Sequence, residues 1–236
     1  MRGLLLCVLS IALGLPASGR SVTNHYQMEV RYQQKLVGHS HVALADPGSA
    51  REVLRIEMDV RVPLPFRSVG VRRVSEFDRL PDGRCSRFHC HSVSDYQGFS
   101  FERWATNDGR KVEIRSVFPD GKAVSRVYFL GKDFDVATGF RHPQILRPED
   151  PHKVLRFLDL HTAEVTRLDQ TLVRRWLQTN QGLAEPMNEI ITKWSWVSQR
   201  SIRWEAIDLP VTMEVRIPFI GTTTTSLVSR SVAVGL

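Results

Sequence analysis

Two histidine pairs, His39 with His41 and His89 with His91, are the residues of this chain best suited by type and spacing to hold a metal ion. Residues two apart on an extended strand project from one face, so each pair presents two imidazoles on the same side. Cys85 shares the parity of His89 and His91, and a thiolate with imidazoles from two neighbouring strands would suit zinc or copper. A true site needs three or four converging ligands, and no spacing here matches a closed zinc motif. The competing reading is that these histidines are ordinary surface or packing residues of alternating strands.

The second constellation is aromatic. Trp194 and Trp196 are two apart and so face the same side of a strand, with Trp176, Trp204, Phe99 and Phe101 as candidate neighbours. Arg174, Arg175, Arg200 and Arg203 flank them, which predicts an apolar ligand-binding face with a cationic border, fitted to a lipidic ligand or an envelope protein. The same rings would equally serve as the core of a sandwich. Asp78, Asp82, Asp95, Glu102 and Asp108 are dispersed through expected turns and strand surfaces. With no Gly-rich phosphate loop and no nucleophile elbow, no catalytic constellation is legible.

The elements that must position these residues are strands. From Tyr26 to Tyr32 the apolar residues Tyr26, Met28, Val30 and Tyr32 alternate with Gln27, Glu29 and Arg31, a period of two that marks a half-buried strand. Gln33 to Lys35 is polar, Gly38 frees the backbone for a turn or bulge, and Val42 and Leu44 resume the alternation, which predicts a hairpin. Pro81-Asp82-Gly83, Asn107-Asp108-Gly109 and Pro119-Asp120-Gly121 then punctuate a meander of strands over 52–62, 69–79, 84–95, 99–106, 111–118 and 122–130. Pro143, Pro148 and Pro151 make 138–151 a Pro-rich crossover loop. Further strands follow over 154–160, 164–177, 187–196, 201–207, 211–219 and 226–234, with 178–186 expected as a loop. Met58-Asp59-Val60-Arg61-Val62-Pro63 is echoed by Met213-Glu214-Val215-Arg216-Ile217-Pro218, each a strand with Met and Val on one face, stopped by a proline. The fold class is therefore all-β, long antiparallel strands curling into a sandwich or open barrel with little helix.

Length and charge bound the setting. Arg2, the apolar run Leu4 to Leu15 and the small residues Pro16-Ala17-Ser18-Gly19 read as a signal peptide over 1–19, which predicts a periplasmic or secreted protein. The formal charge of +7 includes Arg2, so residues 20–236 carry +6 and read as one cationic all-β domain. That balance favours anionic lipid heads or acidic polymers, and export argues against nucleic acid. No later apolar run is long enough for a transmembrane helix. Cys85 and Cys90, on one extended strand, would stand roughly 16 Å apart at ~3.3 Å per residue, too far for a disulfide.

The string Tyr32-Gln33-Gln34-Lys35-Leu36-Val37-Gly38-His39-Ser40-His41 resembles the opening of the exported β-domain that precedes the transglutaminase-like core of certain bacterial proteins. The closing segment is similar too, with Arg203-Trp204-Glu205 leading through Asp208 to Met213-Glu214-Val215 and then Thr225 to Arg230. Stand-alone exported proteins of unknown function share this outline, as do the open curved sheets of lipoprotein carriers. A transglutaminase-like core needs a Cys nucleophile, a His base and an Asp orienter on a further domain, so the resemblance implies the accessory part without the enzyme. The resemblance implies an exported, non-enzymatic binding or scaffold protein of the cell envelope, with a metal-binding periplasmic protein as the alternative.

Overall fold

The structure, a computed structural model, describes residues 22–47, 49, 51–64, 67–80, 84–96, 100–131, 134–136, 146, 148–180, 183–205, 209–217 and 221–234. The expected signal peptide, the Pro81-Asp82-Gly83 turn, Phe99 and most of the 138–151 loop lie outside the described residues. The first half of the chain forms β1 (Val22–Tyr32), β2 (Lys35–Ala45), β3 (Glu52–Leu64), β4 (Arg67–Arg79), β5 (Cys85–Ser94), β6 (Phe101–Asn107), β7 (Lys111–Val117) and β8 (Ala123–Phe129). The second half forms β9 (Phe134–Val136), β10 (His152–Asp159), β11 (Glu164–Asn180), β12 (Leu183–Trp194), β13 (Val197–Trp204), β14 (Pro210–Ile217) and β15 (Gly221–Val234).

All fifteen strands belong to one sheet, in the order β8-β7-β6-β5-β4-β3-β2-β1-β15-β14-β13-β12-β11-β10-β9. Each half is a meander, and the pairing of β1 with β15 joins them at the centre. Every neighbouring pair is antiparallel except β9 and β10, which run parallel and so require a crossover connection between them. The sheet is open, with β8 and β9 at its edges. It curls, however, so that one buried cluster draws Tyr26, Met28, Val42, Leu54, Phe77, Phe88 and Ile114 from the first half and Leu158, Leu160, Met187 and Trp204 from the second. The inner face of each half thereby serves as the apolar cover that the other requires.

Local chemistry explains the first hairpin. Gln33 and Gln34 both take positive φ (48° and 68°), the two-residue turn whose twist matches the flanking strands. The register shifts by one residue opposite Val30 and Arg31, beside Gly38. A Cβ on Gly38 would stand 2.1 Å from the Asp59 carbonyl oxygen and 2.6 Å from Val60 Cα, so only glycine lets β3 pass this closely.

Several boundaries differ from expectation. Within the stretch 178–186, expected as a loop, β11 runs on to Asn180 and β12 begins at Leu183, with Gln178 opposite Glu185 and Thr179 opposite Ala184. Gln178, Thr179 and Ala184 are exposed, and backbone pairing there needs no apolar residues. β15 starts at Gly221 rather than Ser226 because Thr222 to Thr225, all β-branched, pair with β14. The strand expected over 187–196 ends at Trp194, where Ser195 takes φ 52° and turns the chain with Trp196 into β13.

Candidate functional site

Period-two alternation aims one row of side chains from each half of the sheet into the space under the curl. Ile56 and Met58 of β3 and Arg73 and Ser75 of β4 meet Phe157, Asp159 and His161 at the end of β10, Thr166 and Leu168 of β11, Thr192 and Trp194 of β12, Gln199 and Arg203 of β13, and Met213 of β14. They line a cavity of about 330 Å³, near the lower end of the range for small-molecule sites. Met58 and Met213, the equivalent residues of the two echoed segments, both line this space from opposite halves.

One end of the cavity is polar and ordered by a chain of contacts. Ser75 Oγ lies 2.9 Å from His161 Nε2, and His161 Nδ1 lies 3.6 Å from Asp159 Oδ1. Asp159 also accepts the His161 backbone N–H at 2.8 Å and the Thr162 hydroxyl at 3.2 Å. Burial pushes its carboxyl up, but the hydrogen bonds and charge of His161, aided by Thr162, outweigh that and hold it below the usual carboxylate range. Cys90 Sγ sits 3.4 Å from Ser75 Oγ, and burial pushes its thiol up.

The turn that carries His161 is held from the far edge of the sheet. Arg103 of β6 donates to Ser116 at 2.7 Å and to the Leu160 and His161 carbonyls. Arg126 and Tyr128 of β8 both donate to the Ala163 carbonyl, at 2.7 and 2.5 Å. Phe77 and Phe88 pack edge-on against the His161 ring, with centroids 5.9 and 5.3 Å away. A second cavity of about 480 Å³, between the turn and β6–β8, shares Arg73, Asp159 and His161 with the first.

Arg73 and Arg203 supply the positive charge. The Arg73 guanidinium donates weakly to Ser92 Oγ at 3.5 Å and lies 5.7 Å from the centre of the Phe101 ring. Among the described residues no carboxylate oxygen comes within 4.0 Å of it. Arg203 is 1% exposed and donates to Ser201 Oγ at 3.2 Å.

The expected metal ligands do not come together. β2, with His39 and His41, is separated from β5, with Cys85, His89 and His91, by β3 and β4, about 14 Å at ~4.8 Å per strand. Cys85 also leaves the histidine face: β5 pairs Arg87 with Asp78 but Cys85 with Arg79, so Ser86 is an extra residue that flips the parity. Cys85 therefore points into the core, where burial pushes its thiol up to about 12, and both Cys85 and Cys90 are unbridged. On the outer face His41 Nε2 lies 3.2 Å from His25 Nδ1, while His89 contacts Glu102 at 3.1 Å and stacks on Trp104. His39 and His91 are exposed. Among the described residues no three His, Cys, Asp or Glu side chains are grouped to hold a metal.

The tryptophans also part company. Trp194 lines the cavity, Trp196 stands on the β12–β13 turn at 59% exposure, and Trp204 is buried against Tyr26. Trp176 is half-buried under Arg174, which lies 4.6 Å over its ring. The expected cationic border is largely neutralised, since Arg174 and Arg200 both pair with the buried Glu189 and Arg175 pairs with Glu205. Only Arg203, from that set, faces the cavity.

An open all-β sheet, curled around a partly enclosed cavity, is the class of protein that this geometry defines. No family model matches the chain, and no curated protein matches its sequence. Among solved structures it is similar to a beta-barrel-like protein of the domain of unknown function DUF1849 from Brucella abortus, with a TM-score of 0.60 over 91% of this chain and 98% of that one. The two sequences are 8% identical, so the likeness is one of fold.

Proposed function

We propose that this chain is an exported binding protein of the cell envelope whose ligand is an anionic lipid-like molecule held under the curl. The observation that carries this reading is the cavity itself, in which Met58, Phe157, Leu168, Trp194 and Met213 form an apolar bed and Arg73 and Arg203 stand at its polar margin. Such a lining suits a chain of methylenes ending in a carboxylate or phosphate. The leader-like segment over 1–19 supports export, and the cationic balance of the remaining chain supports a partner of negative charge.

The reading is tested with a fluorescent fatty acid. Saturable one-to-one binding is expected, weakened about tenfold in Arg73→Met, since one charge-assisted contact is worth roughly 1.5 kcal/mol. Trp194 emission should change on the same titration. Absence of saturable binding, or equal affinity for an uncharged analogue of the same length, removes the proposal.

A further inference from the structure

Ser75, His161 and Asp159 come from two halves of the sheet and meet in one order at the end of the cavity: hydroxyl, imidazole, carboxylate. We propose that they form a nucleophile, base and orienter that cleave the ester of an acylated molecule lying in this cavity. The inference rests on the lipid-binding reading above and adds a reaction to it.

Geometry is the first support. Ser75 Oγ is 2.9 Å from His161 Nε2, the distance at which a base takes a hydroxyl proton, and the other ring nitrogen is 3.6 Å from Asp159 Oδ1. A neutral ring carrying its proton on Nδ1, toward Asp159, would offer Nε2 to the Ser75 hydroxyl. All three side chains border the same cavity, with Ser75 1% exposed at its wall. Arg73, two residues before Ser75 on the same face of β4, brings a positive charge to the space where an oxyanion would develop.

Positioning is the second support. The His161 ring is packed edge-on by Phe77 and Phe88, and its backbone carbonyl accepts from Arg103. Asp159 spends two further hydrogen bonds on the same turn, which keeps its carboxylate beside the ring.

The reaction balances without a cofactor. The Ser75 proton passes to His161 Nε2 as Oγ bonds to the acyl carbon. The tetrahedral oxyanion collapses, the ester C–O bond breaks, and the departing alcohol takes the proton from His161. Water then gives a proton to His161 and bonds to the acyl carbon, and cleavage of the Oγ–C bond returns the proton to Ser75. The net change is ester plus water to acid plus alcohol.

Diisopropyl fluorophosphate tests this on the purified full chain, alongside fatty-acid binding. One diisopropylphosphoryl group is expected by intact mass, mapped to the peptide that contains Ser75. Ser75→Ala should abolish the adduct while still binding fatty acid, and His161→Gln should slow labelling about a hundredfold or more. Asp159→Asn should slow labelling and move its pH midpoint, with the far-UV circular dichroism of the parent. p-Nitrophenyl butyrate hydrolysis should fall in the same three variants. Fatty-acid binding without an adduct, or an adduct on another residue, overturns the esterase inference alone. Failure of both assays overturns the binding reading with it.

Discussion

The Tyr128 hydroxyl donates to the Ala163 carbonyl at 2.5 Å, which ties the edge strand β8 to a turn of the opposite half of the sheet. With Arg126 and Arg103, which donate to the same turn, it links the two halves without any strand pairing. Tyr128→Phe should therefore lower stability by about 1 kcal/mol, the net worth of one neutral hydrogen bond, and speed amide exchange in the 160–163 turn first. Thermal unfolding with hydrogen exchange checks both; unchanged exchange at the turn would show that it is held elsewhere.

Arg103 should matter more. Its buried guanidinium donates to Ser116, Leu160 and His161, and its removal leaves two carbonyls without that donor. Arg103→Ala is expected to cost about 3 kcal/mol in chemical denaturation. Because Tyr128 and Arg103 fix the same turn, the double variant should lose less than the sum of the two singles.

Gly38→Ala separates close packing from backbone freedom. The new methyl would meet Asp59 O and Val60 Cα, backbone atoms that cannot move aside, so a loss of about 2 kcal/mol or more is expected. Gly121→Ala is the control, since Gly121 has φ +79° but nothing within 4 Å of an added Cβ, and about 1 kcal/mol should suffice. Equal losses in urea unfolding would refute the steric account.

Acid stability should depend on Asp159. Its folded pKa is depressed, so the unfolded chain binds more protons near the ordinary carboxylate value of about 3.9. The stabilisation is present above that pH and is lost as pH falls through the lower folded value. Asp159→Asn should flatten this part of the stability curve between about pH 5 and pH 2. A curve with the slope of the parent would assign acid sensitivity to other groups.

Cys85 and Cys90 should be inert while the protein is folded, since burial raises both thiols and Cys85 to about 12. A disulfide-exchange dye at pH 8 is expected to react with neither thiol natively and with both in denaturant. Rapid native reaction would mean that the inner face opens readily.

Much of the β architecture is local and was readable. Alternation from Tyr26 to Tyr32, the Asp108-Gly109 and Asp120-Gly121 turns, and the β-branched runs each act over a few residues, so they specify strands and hairpins by themselves. Faces were readable only where the period of two ran unbroken. One extra residue at Ser86 sent Cys85 inward, and a turn at Ser195 separated Trp194 from Trp196, because each shifts the alternation by a step that composition does not announce. The cavity and the contact between Ser75 and His161, 86 residues apart, were decided by tertiary structure. They depend on how far a fifteen-stranded sheet curls before its inner face meets itself, and accumulated twist and side-chain volume across all the strands set that distance.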